Sequence, residues 1–193
     1  MNTARDLKKE LRTVALARRD ALDAAWRAEV GQALAAHAAG LAPAAGSVIS
    51  GFWPMRSELD VRPLMAALFA RGARIGLPAI LDKTTIVFRE YRADTSMIDM
   101  GFGTQGPSDT AAVLDPDIML VPLAAFDARG HRIGYGAGYY DRAIGRLKAK
   151  GRAPRLIGIA FDCQEVDRVP DEPHDEPLFE LLTESGLRRF GDT

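Results

Sequence analysis

The spacing of hydrophobic positions predicts that the chain begins with two helices. The first covers about residues 4 to 20, and Thr3 followed by Asp6 is typical of a capping box at its start. Its apolar stripe consists of Leu7, Leu11 and Val14. The second helix is alanine-rich and covers about residues 23 to 40. Its apolar face consists of Trp26, Val30 and Leu34.

From Ser47 onward, short apolar segments alternate with segments of helical character. The predicted strands are SVISGFW, ARIGLPAI, TTIVFREY, DIMLVP and RLIGIAF. The predicted helices are SELDVRPLMAALFARG, GYYDRAIGRLKAKG and a short one from Glu176 to Leu182, while MIDMGFGTQGPSD is predicted to be a loop. This alternation predicts an α/β fold with a mostly parallel sheet. TTIVFREY alternates apolar and polar residues, which indicates an antiparallel or edge strand.

The predicted topology also indicates where a ligand binds. In parallel α/β sheets, ligands collect at the carboxyl ends of the strands. Those ends follow GFW, LVP and GIAF, and a polar or glycine-rich stretch comes after each of them. We therefore expect the functional residues in these three places.

Composition and charge narrow the possible classes of protein. The 193 residues are 47% hydrophobic and 26% charged, so we expect residues 1–193 to form a single globular domain. A net charge of −1 argues against nucleic-acid binding and against attraction to acidic membranes. One cysteine, Cys163, excludes an intramolecular disulfide. The charged start MNTARDLKKELR shows no signal peptide and no apolar run is long enough to cross a bilayer, so we expect a cytoplasmic protein, monomeric by default.

The segment FDARGHRIGYGAGYYDR, residues 126–142, carries the strongest chemical signal. Gly134, Gly136 and Gly138 alternate between a predicted strand and a predicted helix. Glycine at this density lets the backbone approach a ligand and point several N–H groups at an anion. The helix that follows adds the positive end of its dipole. The pattern therefore favours phosphate binding.

Four side chains flank these glycines. Arg132 supplies a fixed positive charge for phosphate, and Asp141, in the first helical turn, could hold magnesium against the phosphates. Tyr139 and Tyr140 offer flat apolar faces for a ring or a base. The structural alternative is a glycine-rich turn with packed tyrosines, in which Asp141 only caps the helix.

Two better-known nucleotide motifs fit this segment poorly. It is not a Walker A loop, because no GK[ST] follows the glycines. A nicotinamide-dependent oxidoreductase is a rival, since Asp162 loosely imitates a ribose-binding acid. However, Tyr139 stands where the third glycine of G-x-G-x-x-G belongs, and eight or more residues separate the strand from the loop.

The segment RIGYGAGYYDR, preceded by VPLAAFD and followed by LIGIAFDCQ and VPDEPHD, resembles the 5-formyltetrahydrofolate cyclo-ligases, also called 5,10-methenyltetrahydrofolate synthetases. The resemblance spans nearly the whole chain and includes LKKELR near the start, the W-x-x-x-x-E-x-D pattern from Trp53 to Asp60, and G-x-x-x-x-L-P from Gly72 to Pro78. It implies a three-layer Rossmann-like fold with N-terminal helices, related to the sugar-phosphate isomerase and CoA-transferase group. It also implies conversion of 5-formyltetrahydrofolate and ATP to 5,10-methenyltetrahydrofolate, ADP and phosphate, with magnesium.

The resemblance assigns residues to ATP, to magnesium and to catalysis. The ATP-binding residues would be Arg5, Lys8, Arg132, Gly134, Tyr135, Gly136, Ala137, Gly138, Tyr139 and Tyr140. Magnesium would be held by Asp141 and Asp175. The expected catalytic residues are Arg132, Lys8 and Tyr140. Arg5, Lys8 and Arg12 form a basic stripe on the first helix, for which the alternative is a solvated face. For Asp175 the alternative is a solvated loop acid.

The folate-contacting residues implied by the resemblance are Trp53, Glu58, Tyr135, Gly136, Ala137, Gly138 and Tyr139. Glu58 would suit the donor-rich pterin ring, and the alternative is an acid at a helix N-terminus. For Trp53 the alternative is a core residue. Of the histidines, His37 and His131 are expected at the surface, while His174 lies beside Asp175 and either orients it or transfers a proton. Cys163 is expected to be packed.

Two departures from the family pattern affect these expectations. Position 137 is alanine where the family usually has glycine, and alanine tolerates positive φ poorly, so we expect a slightly reshaped loop. The chain has QGPS near residue 105, where the family often has a Glu-Pro pair. A relative that binds nucleotide or folate without turnover is therefore the alternative to an active enzyme. Retention of Arg132, Asp141, Asp175, Glu58 and Lys8 favours the enzyme.

Overall fold

The computed structural model of the chain describes residues 3–41, 43–101, 103–172, 175 and 177–191. Its α-helices are α1 (Ala4–Asp20), α2 (Ala24–Ala33), α3 (Ala38–Leu41), α4 (Arg62–Ala70) and α5 (Tyr139–Ala149). The first six strands are β1 (Val48–Ser50), β2 (Arg74–Ile80), β3 (Ile86–Tyr91), β4 (Met97–Asp99), β5 (Gln105–Pro107) and β6 (Val113–Leu114). The remaining strands are β7 (Ile118–Pro122), β8 (Ala125–Phe126), β9 (Arg132–Ile133), β10 (Arg155–Ile159), β11 (Glu180–Thr183) and β12 (Gly186–Arg189).

The main sheet is mixed and mostly parallel, as predicted. Its eight strands have the order β12-β11-β10-β7-β1-β2-β3-β6. The five central strands, from β11 to β2, are parallel to one another, whereas β12, β3 and β6 pair antiparallel at the two sides. The prediction that TTIVFREY is antiparallel is therefore confirmed.

Helices cover both faces of this sheet. On β7, Leu120 packs into a core with α2, α3 and α4, while Met119 and Val121 pack into a second core with α5. All three side chains are fully buried, which explains the unbroken apolar run of this strand. The central strands therefore form the middle layer between helices on the two faces of the sheet.

The first helix begins where the sequence predicts it. The Thr3 hydroxyl accepts a hydrogen bond from the Asp6 amide (3.2 Å), and the Asp6 carboxylate accepts one from the Thr3 amide (3.1 Å). These two bonds complete the capping box.

The predicted apolar stripe of α1 is only partly correct. Leu7 and Val14 are 40% and 42% exposed, whereas Ala15 and Arg19 are buried and Leu11 packs beside Ala15. The reason is that α1 packs against β8 and the short turn after β10. It is covered along a narrow face, and one of the residues on that face is charged.

Several predicted boundaries were wrong. The second helix is broken into α2, a 3-10 turn (Leu34–His37) and α3. The fourth helix begins only at Arg62, next to a proline at its first turn, and the residues before it form a turn and a short irregular segment. Strand β1 ends at Ser50, so GFW belongs to the loop that follows it.

The prediction of a C-terminal helix from Glu176 to Leu182 was also wrong. Glu176 lies outside the described residues, and Glu180–Thr183 form strand β11, parallel to β10. Leu181 and Leu182 point to opposite cores and are both fully buried, which a strand permits and a single-sided helix does not. The predicted loop MIDMGFGTQGPSD contains the β4–β5 hairpin. In the described part of the chain, no helix has the length and apolar character needed to span a membrane.

Candidate active site

A cleft of about 380 Å³ lies at the carboxyl ends of β1 and β7. Its walls include Phe52 and Trp53 from the loop after β1 and Pro122 at the end of β7. Two of the three predicted strand ends therefore meet here. The third prediction is not supported, because none of the described residues after β10 lines the cleft. The opposite wall is formed by the start of α5 and by residues of the loop at positions 134–138, which we call the glycine loop.

The glycine loop is held between a short hairpin and α5. Strands β8 and β9 form this hairpin, and it accounts for the long stretch between the apolar strand and the glycines. Gly136 and Gly138 have φ angles of 99° and 65°, and Gly138 is the N-cap of α5. Ala137 is not in the left-handed region, where Arg56 is the only non-glycine among the described residues. The alanine therefore occupies a position of the loop that does not require glycine.

Arg132 and Asp141 face each other across the loop. The Arg132 side chain is only 5% exposed, and its Nη2 lies 2.5 Å from Asp141 Oδ1. Asp141, in the first turn of α5, is 38% exposed. Both residues line the cleft. The structure thus brings together the predicted phosphate-binding cation and the predicted magnesium ligand, as an ion pair.

A second group of charges lies between α1 and the segment before β11. Lys8 Nζ is 2.7 Å from Asp175 Oδ2 and 3.1 Å from Glu172 Oε2. Partial burial acts to lower the pKa of Lys8, but hydrogen bonds and charges from the two carboxylates raise it. Lys8 and Asp175 do not themselves line the cleft, and Glu172 was not anticipated from the sequence.

Helix α1 is also tied to the glycine loop directly. Arg12 Nε donates a hydrogen bond to the Gly134 carbonyl (2.8 Å). The sequence placed Arg12 on the basic stripe without giving it a role. Arg5, the other predicted ATP contact on this helix, is exposed and does not line the cleft.

Glu58 forms the acidic part of the cleft. It is 8% exposed, and its Oε2 accepts a hydrogen bond from the Met55 amide (2.7 Å). Its Oε1 is buried and has no hydrogen-bond partner among the described residues. Burial raises the pKa of Glu58, and the Tyr135 hydroxyl, the Met55 amide and the charge of Arg19 counteract this only in part. An acceptor in this state suits a ligand that brings its own N–H donors.

The three tyrosines of the loop have different environments. Tyr135 is 37% exposed, but its hydroxyl accepts a 2.6 Å hydrogen bond from Arg19 Nη1. The Tyr140 hydroxyl is buried and has no partner in the described structure. Burial is the main cause that raises the pKa of both phenols, and the charge of Glu58 adds to it. Tyr139 donates to the Asp82 carbonyl (3.2 Å), beside the turn between β2 and β3.

Trp53 lines the cleft and is also packed against protein. Its ring lies 6.1 Å from that of Tyr91 in an edge-on arrangement, and the Arg62 guanidinium lies 5.2 Å from its centroid. The functional and the structural interpretation of this residue are therefore compatible.

The acids near the cleft fit a magnesium ion that is held mainly through phosphates. No group of three or more His, Cys, Asp or Glu side chains among the described residues could hold a metal unaided. Magnesium usually takes one or two carboxylates together with substrate phosphates and water. Asp141, a partly exposed carboxylate on the cleft wall, is such a donor.

The remaining candidates lie outside this arrangement. His37 and His131 are half-buried and not fully at the surface, and His174 lies outside the described residues. Cys163 is also half-buried, and it packs at the edge of the first core.

The fold and the cleft define a class, that of α/β proteins which hold a ligand at the carboxyl ends of parallel strands. Comparison with known proteins narrows the class. The model of the 5-formyltetrahydrofolate cyclo-ligase family matches residues 4–184. The chain therefore belongs to the 5-formyltetrahydrofolate cyclo-ligase family.

Individual relatives agree with this assignment. The chain is 32% identical over 140 residues to the 5-formyltetrahydrofolate cyclo-ligase of Haemophilus influenzae, covering 69% of this chain and 74% of that one. It is 30% identical over 175 residues to that of Escherichia coli K12, covering 87% and 95%. The NMR structure of Aquifex aeolicus 5,10-methenyltetrahydrofolate synthetase superposes with a TM-score of 0.79 at 26% identity, covering 97% of this chain and 94% of that one.

Proposed function

We propose that the chain is a 5-formyltetrahydrofolate cyclo-ligase, which uses ATP and magnesium to convert 5-formyltetrahydrofolate to 5,10-methenyltetrahydrofolate, ADP and phosphate. The observation that carries this is the composition of one cleft. It has a glycine loop with a buried arginine on one wall, and on another a buried carboxylate, Glu58, whose Oε1 has no hydrogen-bond partner among the described residues. The first suits a phosphate chain and the second suits a pterin ring.

The chemistry explains why both ligands must share the cleft. The formyl oxygen on N5 cannot leave unaided as water or hydroxide. In the proposed reaction it attacks the γ-phosphorus of ATP and ADP leaves. N10 then attacks the formyl carbon, loses its proton, and phosphate departs with the former formyl oxygen. No nucleophilic side chain is needed, so the protein mainly positions the reactants and neutralises charge.

Each part of the site has a role in this scheme. Arg132 and the N–H groups of the loop would stabilise the transferring phosphoryl group, and Lys8 would reach the phosphates from α1. Magnesium would be held by Asp141 and Asp175 and, when bound, neutralises the negative charge of the phosphates. Arg132 and Lys8 now pair with these same two acids. Nucleotide binding would therefore exchange these pairs for contacts to phosphate and metal.

The folate would occupy the wall that carries Glu58. Its carboxylate would accept hydrogen bonds from the pterin, and Trp53 would contact the ring. Tyr140, with its buried and unpartnered hydroxyl, would donate a hydrogen bond to bound ligand. The backbone from Tyr135 to Tyr139 would lie between the two substrates.

The proposal also covers the fold group of the protein, its domain organisation and its location in the cell. We place the fold in the Rossmann-like sugar-phosphate isomerase and CoA-transferase group, because a mostly parallel sheet is covered by helices on both faces. We also propose that residues 1–193 act as one cytoplasmic domain.

The reaction can be tested directly. Purified protein is mixed with 5-formyltetrahydrofolate, ATP and magnesium, and the near-ultraviolet absorbance of the methenyl product is followed at mildly acidic pH. We expect an increase that requires ATP. Binding of ATP without product would instead identify a non-catalytic relative, and absence of both would refute the proposed role of the glycine loop.

A further inference from the structure

Arg19, near the end of α1, is a buried cation that connects two walls of the cleft. It is 3% exposed. Its Nε donates to the Ser57 hydroxyl (2.9 Å) and its Nη1 donates to the Tyr135 hydroxyl (2.6 Å). Ser57 precedes Glu58 in the chain, and Tyr135 belongs to the glycine loop. One guanidinium thus holds a residue of each wall.

The hydrogen bonds of Arg19 are unusual for a buried charge. Within the described residues, no carboxylate lies at ion-pair distance from it; its two side-chain partners are hydroxyls. The Ser57 hydroxyl in turn donates a hydrogen bond to Asp20 Oδ1. A buried charge without an ion pair costs stability, so a structural purpose alone accounts poorly for its presence.

The group that benefits from this charge is Glu58. Arg19 is the positive charge that acts on the buried Glu58 carboxylate, against the desolvation that disfavours its ionised form. The planar fork of Arg19 directs two separate N–H groups at Ser57 and Tyr135, an arrangement that the single ammonium of a lysine does not preorganise.

We infer that Arg19 is a positioning residue for the folate substrate, which holds the Glu58 turn and Tyr135 in one arrangement and keeps Glu58 available as a hydrogen-bond acceptor. This rests on the proposed function, in which Glu58 meets the pterin. Arg19 acts through Glu58 and Tyr135 and needs no contact with ATP. Glu58 is assigned to the folate alone, whereas Tyr135 lies between the two substrates, so removal of Arg19 weakens folate binding more than ATP binding.

The test is a double-mutant cycle read by equilibrium binding. The dissociation constant of 5-formyltetrahydrofolate is measured by calorimetry, without ATP, for the wild type, Arg19→Gln, Glu58→Gln and the double variant. We expect Arg19→Gln to weaken folate binding by about tenfold or more, as for loss of a buried charged partner. In the Glu58→Gln background the same change should add less than about twofold. The KM for ATP should change by less than about threefold in Arg19→Gln.

Arg18→Gln is the matched control. It removes the same charge from the neighbouring, exposed position, whose guanidinium donates a hydrogen bond to the Glu165 carbonyl (3.2 Å). Folate binding in this variant should equal that of the wild type. Tyr135→Phe is a second test if Arg19→Gln does not fold. It removes only the hydroxyl that accepts the hydrogen bond from Arg19 Nη1, at a partly exposed residue. It should weaken folate binding several-fold in the wild type and much less beside Glu58→Gln.

Two outcomes would overturn the inference. Unchanged folate affinity in both Arg19→Gln and Tyr135→Phe would mean that Arg19 positions nothing of importance. An effect of Arg19→Gln that is undiminished beside Glu58→Gln would mean that it acts on the ligand directly or on the fold as a whole. Since binding is measured without turnover, a wild type that binds folate but forms no product would refute the proposed reaction and leave this inference testable.

Discussion

The two walls of the cleft differ in how their charges are satisfied before any ligand binds. On the phosphate side, Arg132 pairs with Asp141 on the cleft wall, and Lys8 pairs with Asp175 outside the cleft lining. On the folate side, Glu58 Oε1 and the Tyr140 hydroxyl are buried without partners in the described structure. The phosphate side must therefore exchange existing partners for its ligand, whereas the folate side is already arranged to receive one. Ligand affinity should depend on ion-pair competition on the first side and on desolvation on the second.

The largest effect is expected on the phosphate side, from Arg132→Gln. It removes the buried donor that we propose for the transferring phosphoryl group, and it leaves Asp141 without this partner. We expect kcat to fall by about 10²- to 10³-fold, as for loss of one preorganised donor. Folate affinity measured without ATP should change little. A proportional loss of both quantities would show that the two walls are not separate.

The next effect concerns the acid of the same ion pair. Asp141→Asn should lower activity by about tenfold or more at limiting magnesium, because a hard cation loses a carboxylate ligand. Activity should recover in part as magnesium is raised, and thermal unfolding should change little. Asp94→Asn, at an exposed position outside the cleft, is the control. Near-normal magnesium dependence in Asp141→Asn would remove this residue from the metal site.

On the folate side, Glu58→Gln should weaken 5-formyltetrahydrofolate binding by about tenfold, since a charged acceptor is replaced by a neutral one. It should also stabilise the protein at high pH. Burial raises the pKa of Glu58 above its value in the unfolded chain, despite the nearby charge of Arg19 and the hydroxyl of Tyr135. Between these two pKa values the folded state binds more protons, so the free energy of unfolding falls as pH rises through this interval.

Glutamine does not titrate and removes this pH dependence. The stability of Glu58→Gln relative to the wild type should therefore increase as pH rises. Chemical denaturation should show Glu58→Gln more stable than the wild type at pH 8. At pH 4 the two proteins should be equal, because the carboxyl is then largely protonated in both states. A lower stability of Glu58→Gln than of the wild type at pH 8 would contradict the view that the buried, ionised Glu58 destabilises the folded protein.

The smallest effects distinguish neighbouring positions of the glycine loop. Gly136 has a φ of 99°, so Gly136→Ala should place about 1–2 kcal/mol of strain in the loop and raise the KM for ATP several-fold. Ala137 lies outside the left-handed region, so Ala137→Gly should change KM by less than about twofold. Equal effects at the two positions would indicate that the loop changes its backbone conformation when nucleotide binds.

The sequence predicted the parts of the fold that depend on local pattern. The capping box at Thr3, the apolar run of β7 and the alternation in β3 each identify an element without reference to the rest of the chain. The segment Glu180–Thr183 was missed because four residues of buried strand are too few to separate from a helix. Its identity depends on β10 lying beside it, which only the assembled sheet provides.

The site was predictable to the same extent. The alternating glycines with Arg132 and Asp141 beside them predicted one wall of the cleft, since all these residues lie within ten positions of the chain. Arg19, Arg12 and Glu172 were missed because their partners are remote in sequence. A charged residue at an inward-facing helical position was the available signal for Arg19, and the expected apolar stripe of Leu7, Leu11 and Val14 obscured it.

Helix α1 has a consequence for the order in which the active site is assembled during synthesis. Its contacts join residues separated by 116, 122 and 167 positions, from Arg19 to Tyr135, Arg12 to Gly134 and Lys8 to Asp175. The charged face of α1 is therefore matched only after residues that are synthesised more than a hundred positions later. Long-range closure of this kind is slow. A nascent chain stalled before residue 134 would contain α1 but would lack the glycine loop, so it could bind neither substrate as proposed.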